Sequence, residues 1–286
     1  MLANGFPAAF WVCAAAGLGL VVGSFLNVLV LRLPVMLERE WLREARATLD
    51  LPPDADAAAF NLAWPPSRCG SCGHAIRWRH NLPLLGWLML RGRCADCGAR
   101  IAWRYPAVEL GCALLSAALV AQLGPTAWCA GELLLLWGLI ALALIDFDTT
   151  LLPDALTLPL LWLGLLLHAL LEPAGLQQAL WGAALGYLSL WTIYHLFRLA
   201  TGKEGMGHGD FKLLALLGAW FGALALLPLI LLSAVVGAVV GIGLQLGGLA
   251  ERGKPIPFGP FLAGAGLLAL YLGPQRLVGW VLPGMA

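Results

Sequence analysis

The sequence predicts an all-α polytopic membrane protein with about eight spans and one small polar insert. Three observations carry this. Hydrophobic residues make up 60% of the chain, charged residues only 12%, and mean hydropathy is +0.84, whereas a soluble domain carries about 25% charged residues. Several apolar runs approach or exceed the roughly 20 residues that cross a bilayer as helix. Finally, the one long polar segment, 32–106, holds two C-x2-C pairs, the spacing of a structural metal site. The expected organisation is therefore a first membrane helix over 1–31, a cytoplasmic zinc-ribbon-like insert over 32–106, and membrane helices over 107–286.

The first apolar run, about 6–31, has no basic residue before it and Arg32 just after it. A cleavable signal peptide has the reverse order and a shorter apolar core. The run reads as a retained helix with its amino-terminal end outside the cytoplasm. The remaining spans are expected at 107–123, 126–145, 155–171, 177–198, 211–227, 229–249 and 258–280, with Pro228 as the only punctuation between the sixth and seventh. The 35 glycines fit close helix packing in lipid.

Orientation follows from the basic residues. Eleven of the 17 lysines and arginines lie in 32–106. If that segment is cytoplasmic, Arg198, Lys203, Lys212, Arg252 and Lys254 fall on the same side, and only Arg276 is left outside. Within the insert, Met36 to Leu49 reads as an amphipathic helix. The proline-bearing stretch that follows, "LPPDADAAAFNLAWPPS", reads as irregular chain. A net charge of +1 points to no class of partner, and no nucleic-acid partner is expected.

"RCGSCG" and "RCADCG" place Cys69, Cys72, Cys94 and Cys97 so that each pair can bring two thiolates to one tetrahedral ion. Four sulfurs close the coordination shell, which makes the implied site structural zinc, one ion per chain. Two disulfides or idle thiols are the alternative, disfavoured in a reducing compartment. His74 and His80, between the pairs, read as bystanders. Cys13, Cys112 and Cys129 read as small packing residues in apolar spans.

Acidic groups beside lipid are expensive and so become functional candidates. Asp146, Asp148 and Asp154 lie at the expected cytoplasmic mouth of the third and fourth spans, and Asp210 opens the sixth. A pair of carboxylates cannot easily ionise together, so one keeps a proton while the other acts as base. Asp146 with Asp210 is the expected dyad, with Asp148 as the alternative partner and Asp154 as a helix cap. Gly205, Gly207 and Gly209 would let an extended peptide approach closely and would supply positive φ where loop becomes helix. A flexible hinge with Asp210 as a cap is the competing reading. His208 and Lys212 read as solvated loop positions. His168 and His195 receive no role, and Glu109 is either functional or paired with an arginine.

Four stretches together resemble the bifunctional prepilin peptidases, the type IV leader peptidases that also act as N-methyltransferases. They are "GSFLNV" (23–28), "PPSRCGSCGHAIRWRHNLPLLGWLMLRGRCADCGARIAWRYPAVEL" (65–110), "DFDTTLLPDALTLPLLWLGL" (146–165) and "GMGHGDFKLLALLGAW" (205–220). The resemblance implies a bacterial inner-membrane aspartic endopeptidase of the GxGD type. Such an enzyme removes the basic leader of type IV prepilins and pseudopilins on the cytoplasmic side, after glycine and usually before phenylalanine. It then methylates the new N-terminus with S-adenosylmethionine. By the same resemblance the dyad maps to Asp146 and Asp210, and the zinc ligands to Cys69, Cys72, Cys94 and Cys97. No soluble-type G-x-G-x-x-G loop is present, and "GLGLVVG" (17–23) lies inside a helix, so the methyl-donor site is sought near Gly92, Arg93 and Glu109. Two other classes remain open: a transporter or ion pathway using the aspartates, and a zinc-stabilised membrane scaffold. The sequence gives no oligomeric state.

Overall fold

A computed structural model describes residues 6–52, 59–248 and 256–281; Arg252 and Lys254 of the charge count lie outside them. Every regular element among the described residues is helical, apart from two isolated bridges. The chain divides into two units, Met1–Pro125 and Thr126–Ala286.

The first unit is built on α1 (Ala8–Thr48) and α3 (Arg104–Leu123), with the short α2 (Leu85–Met89) and the cysteine loops between them. The expected first span and the amphipathic stretch after it form one continuous helix of 41 residues. Arg32 and Pro34 do not end it. At 1.5 Å per residue it is about 60 Å long, roughly twice the hydrocarbon thickness of a bilayer. Its second half must therefore stand beyond the apolar layer. Gly19 and Gly23 set its distance from α3: a Cβ at Gly19 would meet the Cys112 carbonyl oxygen at 2.6 Å, and one at Gly23 the Glu109 Cα at 2.7 Å. Only bare backbone permits that approach.

The second unit holds α4 (Ala127–Thr149), α5 (Asp154–Leu171), α6 (Leu176–Thr201), α7 (His208–Phe221), α8 (Leu226–Leu246), α9 (Gly259–Leu272) and α10 (Pro274–Val281). Its core is α4 and α7. Leu135, Leu136, Leu139, Leu142 and Ile145 are fully buried on α4, as are Phe211, Leu213, Leu214, Leu216 and Leu217 on α7. The α6–α7 crossing is made by Gly182 and Gly218, where a Cβ on either would collide with the other's carbonyl oxygen. Gly218→Ala is therefore expected to destabilise the protein by at least about 1–3 kcal/mol, the range for overpacking a close contact, read as a fall in Tm in detergent. An unchanged Tm would mean that the helices separate at little cost.

Among the described residues, five helical segments are long and apolar enough to cross a membrane, or six if α9 and α10 count as one bent span. Length and composition do not confirm the expected count of about eight, for three reasons. α7 has 14 residues, about 21 Å of helix, and buries ten of them in protein. α6 is long but interrupted by polar side chains. The last segment, expected as one span over 258–280, turns by 109° at Gly273 (φ +82°), before Pro274. The break between the sixth and seventh segments is also displaced. It lies at Gly222 (φ +81°) rather than at Pro228, which sits in the first turn of α8 where a missing N–H costs nothing.

Candidate active site and metal centre

The two cysteine knuckles are near copies of one another. The Cys69 N–H donates to the His74 carbonyl at 2.9 Å, and the Cys94 N–H to the Ala99 carbonyl at 2.8 Å. Gly73 (φ +72°) and Gly98 (φ +71°) close the turns in the left-handed region, which a side chain would strain. All four sulfurs lie within 4.8 Å of one another, with Cys69 and Cys97 at 3.8 Å. Four ligands at the usual zinc–sulfur length of about 2.3 Å stand about 3.8 Å apart in a tetrahedron, and all seven cysteines are free thiols. The acid–base chemistry agrees. N–H groups of Cys72 and Ser71 aimed at its sulfur lower the Cys69 thiol to about 6. The Ala99 N–H favours the Cys97 thiolate, but hydrogen bonding with Cys72, desolvation and the sulfurs of Cys94 and Cys69 push that thiol up to about 12. Four thiolates together require a cation, and the geometry fits zinc. His74 and His80 stand outside this set.

In the second unit Asp146 closes the last turns of α4 and Asp210 lies in the first turn of α7; they are 5% and 7% exposed. The chain brings them close enough for the Asp146 charge to act on Asp210. Asp146 Oδ2 is buried with no hydrogen-bond partner in standard geometry among the described residues, and Gly259, at the start of α9, is pressed against that oxygen: a Cβ there would stand 2.5 Å from it. The Leu152 side chain fills the space between, as a Cβ at Gly209 would come within 2.7 Å of Leu152 and one at Gly259 within 3.2 Å.

The glycines before Asp210 act differently from expectation. None of Gly205, Gly207 and Gly209 has positive φ; that conformation is taken by Gly202 (φ +70°), which ends α6. Gly207 is the N-cap of α7, in extended geometry, and a Cβ on it would sit 3.8 Å from Asp210 Oδ2. Packing requires the two flanking glycines: a Cβ at Gly205 would meet the Phe197 ring at 2.9 Å and one at Gly209 the Leu152 side chain at 2.7 Å, whereas Gly207 has room. Asp210 itself is the third residue of the helix and not its cap.

The remaining acids separate. Asp148 is exposed, two residues beyond Asp146 and so about 200° round the helix. Asp154 makes no cap hydrogen bond; it pairs with Lys212 at 2.7 Å and ties α5 to α7. Lys212 is thus a cross-link rather than a solvated loop residue. The exposed His208 packs its ring at a tilt against Tyr194 and Phe211, two residues before Asp210.

Of the three candidates for the methyl-donor site, Glu109 is buried on α3 and its Oε2 accepts the Leu84 N–H at 2.7 Å. Gly92 (φ +67°) lies against the Trp87 ring, which a Cβ would meet at 2.9 Å, and Arg93 contributes a backbone bridge with Arg100. The structure does not gather the three into one cluster. Sequence reasoning missed Gly259 and Leu152, because a glycine before a proline at a helix start signals only the start. It also missed Asn27, a buried amide that donates to the Tyr105 carbonyl at 3.1 Å; an amide within an apolar run was the available signal.

Known proteins share this sequence almost from end to end. Residues 18–123 match the bacterial peptidase A24 N-terminal domain, and residues 133–242 match the type IV leader peptidase family. The prepilin leader peptidase/N-methyltransferase of Stutzerimonas stutzeri is 56% identical over 94% of this chain and 93% of its own length. The chain belongs to the type IV leader peptidase family. Proteins of the same name from Pseudomonas aeruginosa and Aeromonas hydrophila are 55% and 51% identical, covering 94% and 98% of this chain and 92% and 97% of theirs. No solved structure matches. Both family matches fall on this chain's own elements: the N-terminal match takes in the cysteine knuckles, Glu109 and most of α1, and the leader-peptidase match takes in Asp146 and Asp210.

Proposed function

We propose that this chain is a membrane aspartic endopeptidase that removes the basic leader of type IV prepilins and pseudopilins after glycine and then methylates the exposed N-terminus, usually phenylalanine. The observation that supports it is the burial of two carboxylates, 64 positions apart in the chain, flanked by Gly209 and Gly259, both of which pack against the Leu152 side chain. In the cut, the ionised aspartate draws a proton from water while the protonated one donates to the scissile carbonyl. Water oxygen bonds to the carbonyl carbon. The C–N bond then breaks, and the leaving nitrogen takes a proton from the dyad. Which aspartate starts protonated is a property of the pair.

S-adenosylmethionine, when bound, would supply an electrophilic methyl group to the freed, neutral amine and depart as the uncharged thioether, the amine's extra proton passing to water. Zinc held by Cys69, Cys72, Cys94 and Cys97 would cross-link the two knuckles and take no part in the cut. The enzyme sits in the bacterial inner membrane, with the knuckles and the dyad at the cytoplasmic face and the amino-terminal end of α1 on the periplasmic side.

Purified protein incubated with a prepilin is expected to give a leader-free product, followed by a gain of one methyl, both read by mass. Asp148→Ala is expected to cut at close to the normal rate, since that residue is exposed and on a different side of α4 from Asp146. Loss of cleavage in Asp148→Ala together with retained cleavage in Asp146→Ala would move the dyad to Asp148, and no cleavage by the unmodified protein would refute the reading.

A further inference from the structure

The first unit encloses a cavity of about 470 Å³ between α1, α3 and the knuckles, within the roughly 300–1,000 Å³ that surrounds a cofactor-sized ligand. Its walls are chemically unequal. From the helices come Ser24, Asn27, the buried carboxylate of Glu109 and Arg32, whose guanidinium donates to the Asn61 and Pro65 carbonyls; from the knuckle side come Arg68, Arg77 and Arg100, with Asp96 the acid among them. The half-buried indole of Trp87 forms part of the boundary.

The acidic wall is built, not incidental. Gly23 brings α1 against the backbone of Glu109. Leu84, a residue with a side chain, is held at φ +56° and points its N–H at Glu109 Oε2. An unstrained chain avoids that conformation, so the hydrogen bond fixes one carboxylate oxygen at the expense of the backbone. Gly92 in turn lets the Trp87 ring approach the chain closely. The lining thus combines one fixed buried anion, one indole and several guanidinium groups.

We propose that this cavity binds the methyl donor, a zwitterionic sulfonium nucleoside, with Glu109 facing its cationic end, Trp87 its aromatic plane and the arginines its carboxylate. The inference rests on the methyl-transfer reading and adds the place and the residues. A cation is attracted both to a carboxylate and to an indole face, and a planar base stacks on the same indole. Cys69 and Cys94 belong to the wall, so the metal centre shapes the pocket without touching the reacting atoms. Gly92 belongs to the site through Trp87, and Arg93 does not line it.

The test is binding of S-adenosylhomocysteine and S-adenosylmethionine to the full chain in detergent, by calorimetry, for the unmodified protein, Glu109→Gln and Trp87→Ala. Zinc content and helicity report folding. Both variants are expected to bind S-adenosylmethionine about tenfold or more weakly. Glu109→Gln is expected to lose less toward S-adenosylhomocysteine, whose sulfur is uncharged, while Trp87→Ala weakens both ligands alike. Unaltered affinity in both variants would place the donor elsewhere and overturn the inference. If Glu109→Gln loses its zinc, Trp87→Ala decides. Unmodified protein that cuts prepilin yet binds neither compound would sink the methyl-transfer reading itself, a result distinct from a misplaced site.

Discussion

Asp210→Asn is expected to lower leader removal by about 10²–10⁴-fold or more, the size of a lost general acid–base group, with Asp146→Asn equally damaging. The substitution keeps the shape and most hydrogen bonding of the side chain and removes only its ability to ionise. Both positions are buried, at 7% and 5% exposure, so no solvent-borne acid can readily substitute. The double variant is expected to be no slower than either single one, because the two groups act as a unit and their losses do not add. The measurement is the rate of leader loss by mass with zinc content as the folding control. Methylation of a synthetic, already cleaved substrate is expected to persist in all three variants, since the metal centre and the cavity are built wholly from the other unit. Cleavage within tenfold of normal in either single variant would remove the dyad from the mechanism.

Removing the metal is expected to have the opposite signature. The purified chain is expected to carry about one zinc, and Cys94→Ser, or a strong chelator, to release it. Methyl transfer is then expected to fall by about 10- to 100-fold, the usual cost of disturbing the support of a site, while leader cleavage changes far less. The reason is local. Cys69 and Cys94 form part of the cavity wall, and four thiols without a cation would compete for protons and splay the knuckles apart. Equal losses in both activities would show general unfolding, and a zinc-free preparation of full methylating activity would refute the assignment.

What the sequence disclosed follows the range of the interactions involved. The knuckles are local: two C-x2-C turns, each closed by its own glycine, specify their geometry within five residues. Helices α3, α4 and α5 begin and end within a few residues of the apolar runs, because Gly124, Pro125 and Pro153 mark their limits. The number of spans was not legible. An apolar run reads alike whether lipid or protein surrounds it, and α7 is apolar because it is enclosed by its own unit. Asp146 and Asp210 stood out as charges in apolar surroundings, but the contacts of Gly259 and Leu152 depend on three segments meeting, which no spacing encodes. The expected positive φ before Asp210 failed for a similar reason. Extended geometry at Gly207 suffices to start the helix, and the reversal is made earlier, at Gly202.

The uninterrupted length of α1 has a mechanical consequence. From Pro34 to Thr48 the rod extends about 21 Å beyond its lipid-facing half. A change of about 10° in its inclination, well within what membrane thickness imposes, would swing its far tip by nearly 4 Å. Lipid composition thereby gains leverage over the position of the aqueous limb without contacting it.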